Sequence, residues 1–463
     1  MISSANVYAL LIFTVIAFTA VGIIYSRGKY ETLDDFITAR GTAGTKMLST
    51  TFLASFLGVF ILFTPPEAGS IGGITTVIGY ALGLGGLYFA FIILSPKIRS
   101  YLPQGSTLND FARKRYGKKM YVLILLLSIF YMFVHLVAEL TAIAFVAYEL
   151  AGIPLLFTAL LIGLGTMIYI AYGGLRASMF TDMIQMVFVL VFLLITGIGV
   201  LYYLGGVGNI LSLSRENAPE LFSFTNIGGI EFGLTLGIAV FVANLFHQGY
   251  WQRIYSGKND KAIKKSLIFC IIIALPIMML TGILGIVSTG LGYAENPSVA
   301  LFSLVYGIFP TGLIIMVFML ALVLVMSTVD TLLNGMVATF SGNTKGILKN
   351  LDSKSLLRFA RILTLVIIIP AALIAAQGYS VLYLFLVADL LCAGVVFPLF
   401  YGLYNKKITE NTAVLASLLG IASGIPFFMA NQLLISFTLP IVISAMITLL
   451  GTWYTQKALV NNS

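Results

Sequence analysis

The sequence predicts an all-α polytopic membrane protein with about thirteen transmembrane helices. Of its 463 residues, 59% are hydrophobic and only 9% are charged, whereas a soluble domain carries about 25% charged residues. Apolar stretches of about 20 residues, the length that crosses a hydrocarbon core, recur along the chain. Basic residues cluster in alternate connections between these stretches, as they do in proteins that cross a membrane many times.

The apolar stretches define the predicted spans in chain order. They cover residues 5–26, 46–68, 72–95, 119–150, 153–173, 180–204, 229–250, 266–290, 309–340, 356–377, 379–404, 412–430 and 433–454. No basic residue precedes the first stretch, so we expect a retained helix and not a cleaved signal peptide. Cys270 and Cys392 fall inside spans, where we expect them to be small buried side chains.

The basic residues predict the orientation. With the amino terminus outside and the carboxyl terminus inside, all but one of the 26 Lys and Arg residues fall in inside segments. Arg215 is the exception, and Arg253 is assigned to a cytoplasmic loop. Because basic residues favour the cytoplasmic side, the net charge of +9 indicates topology and a weak attraction to anionic lipid, without a nucleic-acid partner. Segments 96–118 and 294–307 are each expected to hold a short helix.

Two spans are predicted to be broken helices. The second contains LGVFILFTPPE and the seventh ends in ANLFHQG, so breaks are expected within 58–66 and 242–250. The two spans lie five apart and run in opposite directions, which predicts an inverted repeat of two five-helix units, as in membrane transporters. The single transmembrane domain, 1–463, would contain repeat one at about 46–204, repeat two at about 229–404, and peripheral helices 5–26, 412–430 and 433–454.

The ninth span carries a polar face. Ser327, Asp330, Thr331 and Asn334 follow the spacing i, i+3, i+4 and i+7, so they lie on one side of a helix. A carboxylate in mid-membrane costs roughly 2.5–3.5 kcal/mol on insertion scales. We therefore expect this face to meet polar partners inside the protein.

Five stretches together carry a family resemblance. They are ETLDDFITARG (31–41), FLASFLG (52–58), GGLRASMFTDMIQ (173–185), VMSTVDTLL (325–333) and YWQRIYSGKNDKAIKKS (250–266). In order and spacing these stretches resemble the sodium:solute symporter family over nearly the whole chain. The resemblance implies a leucine-transporter-type 5+5 inverted repeat in the cell membrane.

The resemblance also implies a principal Na⁺ site between the second and ninth spans. Its ligands would be the carbonyls of Ala54, Leu57 and Leu324 and the hydroxyls of Ser327 and Thr328. Hard cations prefer such oxygen ligands, and an unwound turn leaves carbonyls free to supply them. No cofactor other than the coupling ion is expected.

Intramembrane ionisable residues supply further candidates. Asp182 and Asp330 would form a second cation site or a release path. In the structural alternative, Asp182 caps its helix and pairs with Arg176, and Asp330 pairs with a neighbour. His135 and Glu139, four residues apart, fit a proton route and a structural pair equally well.

Residues around the two breaks are candidates for the solute path or its vestibule. The set comprises Phe56, Phe60, Glu67, Glu139, Asn244, His247 and Gln248. Asp389, in the eleventh span, fits a functional and a structural role equally well.

These observations favour secondary active transport. The leading hypothesis is Na⁺-coupled symport, by alternating access, of an amino acid, another small carboxylate or a urea-like amide. A proton-coupled symporter that uses Glu139, His135 or Asp182 is the alternative. A membrane sensor is a remote alternative because no kinase sequence follows the last span, and no P-loop or HExxH motif suggests an enzyme. The expected partners are the solute, Na⁺ and the lipid bilayer.

Overall fold

The apolar stretches form helices in the computed structural model, which describes residues 4–26, 37–347, 362 and 366–461. The first helices are α1 (Ser4–Ser26), α2 (Thr45–Phe56), α3 (Thr64–Tyr101), α4 (Leu108–Arg115), α5 (Lys118–Ala151), α6 (Leu155–Tyr203) and α7 (Gly206–Asn217). They are followed by α8 (Ile227–Ala243), α9 (Gln248–Ser256), α10 (Asp260–Gly290), α11 (Ala300–Ile308), α12 (Thr311–Ile347), α13 (Val366–Ala375), α14 (Val381–Ala393), α15 (Val396–Tyr401), α16 (Glu410–Met429) and α17 (Leu433–Asn461). The predicted all-α class is confirmed.

Helix length agrees with a protein that crosses a membrane many times. Within the described ranges, nine helices are long and apolar enough to span a bilayer. The second span is broken into short pieces, and part of the predicted span 356–377 lies outside the described residues, as do residues 31–36 of the ETLDDFITARG stretch. The count of thirteen spans, the orientation and the division into repeats therefore stay predictions.

Two short helices lie where the sequence predicted them. α4 falls within 96–118 and begins with a capping box, in which the Thr107 amide donates to the Asp110 carboxylate over 3.1 Å. α11 overlaps most of the predicted segment 294–307. α7, in the connection after α6, was not predicted.

The first helix break separates α2 from α3. α2 ends at Phe56, Leu57 has φ −99° and ψ 71°, and Gly58 is extended before a 3₁₀ turn at Val59–Leu62. The two prolines of TPPE occupy the first turn of α3, where a missing amide hydrogen costs no helical hydrogen bond. The predicted break is confirmed, and it begins one residue before the expected window.

The second helix break separates α8 from α9. α8 ends at Ala243, a 3₁₀ turn covers Asn244–Phe246, and His247 is extended with φ −71° and ψ 105°. α9 then starts at Gln248. This break lies inside the predicted window of 242–250 and is confirmed.

Two glycines bend helices that the sequence analysis had divided into separate spans. Gly73 in α3 has φ 73° and ψ −159°, and Gly174 in α6 has φ 51° and ψ −154°. Residues with a Cβ rarely adopt a positive φ, so glycine allows each chain to turn without an intervening loop. In each of these helices, a bend at one glycine therefore replaces the loop that we expected between two spans.

Glycines also determine how α3 packs against α8. A Cβ added to Gly233 would lie 2.7 Å from the Thr75 carbonyl oxygen, and one added to Gly237 would lie 2.6 Å from the carbonyl oxygen of Gly79. Small residues spaced by four let two membrane helices approach backbone to backbone. α8, which precedes the second break, is thereby held close against α3. We call this contact the glycine crossing.

Candidate functional site

The polar face of α12 is turned into the protein. Ser327, Asp330 and Thr331 are completely buried, and Asn334 is only 3% exposed. Their partners lie on α2, α6 and α9, the elements around the two breaks. Ser327, Asp330 and Thr331 therefore find polar partners inside the protein, whereas Gln252 reaches only the backbone carbonyl of Asn334, whose Nδ2 has no hydrogen-bond partner among the described residues.

A buried ion pair lies next to this face. Arg253 Nη2 and Asp182 Oδ2 are 3.0 Å apart, and both side chains are completely shielded from solvent. The Ser327 hydroxyl donates to Asp182 Oδ1 over 2.6 Å, and the Thr51 hydroxyl donates to Asp182 Oδ2. Several donors thus compensate the carboxylate, as a buried charge requires.

The Arg253 guanidinium connects four helices. It donates to Thr51 on α2 (2.7 Å) and to Thr331 on α12 (2.7 Å). It also donates to Ser178 on α6 (3.1 Å) and to the Gly249 carbonyl of its own helix α9 (3.3 Å). A planar group with five fixed donors suits such a junction, and a lysine would not. We refer to Arg253, Asp182 and these hydroxyls as the arginine network.

The arginine network corrects two sequence-based interpretations. Asp182 lies in the interior of α6 and its ion-pair partner is Arg253, so the alternative of a helix cap that pairs with Arg176 is wrong. Arg253 is not in a cytoplasmic loop but is completely buried in α9. The local sequence YWQRIY held the available signal, because aromatic and aliphatic neighbours flank this arginine on both sides. Asp330 accepts from the Ser178 hydroxyl over 2.7 Å.

The five predicted cation ligands are all buried at the first break and on the facing part of α12. The last helical hydrogen bond of α2 runs from the Leu57 amide to the Leu53 carbonyl. Among the described residues, no donor forms a hydrogen bond with the carbonyls of Ala54 and Leu57. Gly58 lies directly against α12, since a Cβ added to it would be 2.7 Å from Thr328 Oγ1. The Thr328 hydroxyl donates back to the Leu324 carbonyl over 3.2 Å. The convergence of all five oxygens on one ion stays a prediction.

A cavity of about 30 Å³ lies between the two breaks. This volume suits about one water molecule, so the pocket is smaller than an organic solute. Its lining residues are Ser55, Phe60, Tyr80, His135, Glu139, Val240, Asn244, His247, Tyr250, Thr328, Phe385 and Asp389. Four of these residues belong to the set predicted for the solute path, namely Phe60, Glu139, Asn244 and His247. Ser55, Tyr80 and Phe385 were not found, because nothing in their local sequence distinguishes them from ordinary packing residues.

Glu139 connects α5 to the first break. Its Oε2 accepts a hydrogen bond from the Val59 amide over 3.0 Å, and its Oε1 has no partner. The carboxylate thus caps the exposed amide end of the 3₁₀ turn. His135 packs its ring against Phe385, with 4.4 Å between the centroids, and its Nδ1 is also unpartnered.

Two of the residues suggested for the solute path lie outside the cavity. The Gln248 side chain accepts from the Leu108 amide (2.8 Å) and donates to Ser128 (2.7 Å), so it ties α4 to the second break. Phe56 packs between Tyr88 and Tyr250, with ring centroids 4.4 and 4.0 Å away. Both side chains hold the breaks in position.

Glu67 lies at the other end of the first break, in the first turn of α3. Its Oε1 accepts from the hydroxyls of Ser298 (2.6 Å) and Ser380 (3.2 Å), and the side chain is 6% exposed. The carboxylate therefore connects α3 to the segment before α11 and to the start of α14.

Comparison with known proteins identifies relatives over most of the chain. A model of the sodium:solute symporter family matches residues 36–420. The spermidine transporter DUR31 of Candida albicans is 26% identical over 422 residues, which cover 89% of this chain and 78% of that protein. The sodium/glucose cotransporter of Vibrio parahaemolyticus is 25% identical over 390 residues, covering 75% of this chain and 70% of that protein.

A solved structure has the same fold. It is a Na⁺-coupled sialic acid symporter in a substrate-bound, outward-open state, and it matches with a TM-score of 0.75 and 18% identity, covering 97% of both chains. Its fold is of the leucine-transporter type, so the similarity shows that fold for this chain.

Proposed function

Because the chain belongs to the sodium:solute symporter family, we propose that it is a Na⁺-coupled symporter that carries a small organic solute into the cell by alternating access. Like other members of the family it is an integral protein of the plasma membrane. The observation that supports the proposal most directly is the contact between the break after α2 and Thr328 on α12. Gly58 directly follows Leu57, so the contact brings the chain beside one proposed carbonyl ligand close to a proposed hydroxyl ligand, which supports the proposal.

The proposed Na⁺ ligands are the carbonyls of Ala54, Leu57 and Leu324 and the hydroxyls of Ser327 and Thr328. The present hydrogen bonds of the two hydroxyls are compatible with this role. The Ser327 hydroxyl donates a hydrogen bond to the Asp182 carboxylate, and the Thr328 hydroxyl donates one to the Leu324 carbonyl. A hydroxyl that donates its proton keeps lone pairs on oxygen, which are available to a hard cation.

Asp182 and Asp330 are proposed to lie on the cation release path. Both are completely buried, and both share hydroxyl partners with Arg253. Both carboxylates already accept hydrogen bonds from donors of the protein, so a permanently bound Na⁺ would have to displace or share these contacts. We therefore favour the release path over a second permanent cation site.

The cavity between the breaks is the proposed solute site, with Phe60, Asn244 and His247 from the sequence-based set in its wall. Relatives of the chain are named for solutes as different as spermidine and glucose, so family membership leaves the solute open. Among the described residues the lining contains two carboxylates and two histidines but no Lys or Arg. This disfavours the small carboxylates among the predicted solutes and leaves amides and other solutes without negative charge.

The proposal is tested with purified protein in proteoliposomes, in which a Na⁺ gradient or a pH gradient is imposed separately. We expect the Na⁺ gradient to drive uptake of labelled solute and the pH gradient alone to drive none. Uptake that follows the pH gradient and is lost in Glu139→Gln would establish the proton-coupled alternative instead.

The same vesicles test the cation ligands. The double variant Ser327→Ala with Thr328→Val should raise the Na⁺ concentration for half-maximal uptake at least tenfold, because each lost ligand costs about 1–3 kcal/mol. Ser417→Ala with Thr452→Val is the matched control, since it removes two buried hydroxyls that bond only to their own peripheral helices. An unchanged Na⁺ dependence in the first variant would remove Ser327 and Thr328 from the site.

A further inference from the structure

The cavity between the breaks contains more hydrogen-bonding capacity than the protein uses. Four polar atoms in its lining have no partner: Glu139 Oε1, Asp389 Oδ1, His135 Nδ1 and His247 Nδ1. All four side chains are at least 92% buried. Buried polar atoms in folded proteins are normally paired, so four unpaired atoms around one cavity indicate a ligand that supplies the missing partners.

The charged side chains around the cavity indicate the charge of that ligand. Asp182, which accepts a hydrogen bond from Ser327, is neutralised by Arg253. The cavity has no such counter-ion, because no Lys or Arg lines it while two carboxylates do. A buried carboxylate needs a cation or several donors close by.

The two carboxylates face different neighbours. Glu139 lies at the first break, where its Oε1 and Thr328 Oγ1 are both in contact range of Gly58, and it is thus beside the proposed Na⁺ ligands. Asp389 lies on α14, four residues after Phe385, so the two side chains share one face of that helix. Na⁺ bound at the proposed site would therefore compensate Glu139, which leaves Asp389 for the solute.

The cavity wall beside Asp389 is aromatic. Phe385 packs edge-on against Phe60, with 5.7 Å between the ring centroids, and Tyr80 and Tyr250 complete this part of the lining. Aromatic faces attract ammonium and guanidinium groups once these are out of water. The same negative ring faces do not attract an anion.

We propose that the solute is a small organic cation whose N–H donors, on an ammonium or guanidinium head, bind the Asp389 carboxylate, with the aromatic wall around the head. This inference depends on the proposed symport function and specifies its substrate class. Since the cavity is only about 30 Å³, the head group would enter when the break segments separate.

The test compares solutes that have the same shape and differ in charge. Guanidinium and urea form such a pair, and spermidine is an extended cation that carries several ammonium heads. Na⁺-driven uptake of each is measured in proteoliposomes with wild-type protein, with glucose and glutamate as neutral and anionic probes. We expect one of the cations to be taken up at least tenfold faster than urea, glucose or glutamate.

Variants of Asp389 then test the contact itself. Asp389→Asn should lower the uptake of that cation at least tenfold, and Asp389→Glu should restore most of it because the charge returns. Glu216→Gln removes a carboxylate from an exposed position and is the matched control. If Asp389→Asn does not fold, the wild-type comparison of guanidinium, spermidine and urea still decides the proposal.

The outcomes separate this inference from the symport function. Na⁺-driven uptake of glucose, glutamate or urea in preference to both cations would overturn the substrate class and leave symport intact. If the cation is preferred but Asp389→Asn transports it at the wild-type rate, the proposed contact with Asp389 is overturned, because the carboxylate then has no role, and symport again stays intact. Failure of every probe to respond to Na⁺ would contradict both proposals.

Discussion

The arginine network makes a quantitative prediction about stability. Arg253→Met removes the guanidinium but keeps a side chain of similar length, so Asp182 is left buried without its counter-ion. Breaking a buried pair by removing one partner costs about 3–5 kcal/mol, most of it from the uncompensated charge. Four helices lose a common hydrogen-bond partner at the same time.

The assay is the thermal unfolding of purified protein in one detergent, with denaturant unfolding for the free energy. Arg253→Met should lower the unfolding free energy by about 3–5 kcal/mol, and the double variant with Asp182→Asn should regain part of that loss, since the charge of Asp182 is then removed together with that of its partner. Arg253→Lys should be intermediate, because an ammonium lacks the planar fork that reaches several partners.

A surface ion pair provides the control. Arg99 and Asp260 are 2.7 Å apart, but their side chains are 21% and 55% exposed. Such pairs contribute about 0–1 kcal/mol, so Arg99→Met should change stability only slightly. A loss of unfolding free energy in Arg253→Met as small as that in Arg99→Met would contradict this role of Arg253. A double variant no more stable than the single variant would contradict it as well.

Three further predictions concern packing and the cation site. Gly58→Ala should raise the Na⁺ concentration for half-maximal uptake about tenfold in vesicle assays, because the added methyl group would clash with the Glu139 carboxylate and the Thr328 hydroxyl. Glu139→Gln should raise the half-maximal Na⁺ concentration at equal protein yield, and a wild-type Na⁺ curve would show that this carboxylate only caps the break. Gly233→Val should lower stability by about 1–3 kcal/mol through overpacking, whereas Gly208→Val, with open space around it, should have little effect on the melting temperature.

The sequence predicted the two breaks because their causes are local. A glycine and two prolines mark the first, and the polar run after Ala243 marks the second. Glycine and proline disfavour a continuous helix through their own backbone chemistry, so no knowledge of distant contacts is needed to suspect a break. The polar face of α12 was found for the same reason, since its spacing is a property of one helix.

The partners of these residues could not be predicted in the same way. Arg253 was assigned to a loop because counting basic residues near span ends ignores what surrounds each of them. Its burial depends on Thr51, Ser178 and Asp182, which are 202, 75 and 71 residues away in the chain. Asp389 gained its significance only when the structure placed it beside the two breaks.

The glycine crossing has a consequence for motion. Between α3 and α8 two backbones touch without side chains between them, at Gly79, Gly233 and Gly237. Interlocked side chains must change rotamers before two helices can shift, whereas bare backbone surfaces have none to change. Sliding would bring residues with a Cβ against the α3 backbone, so we expect α8 to pivot about the glycine crossing, which would move the second break while the two helices stay in contact.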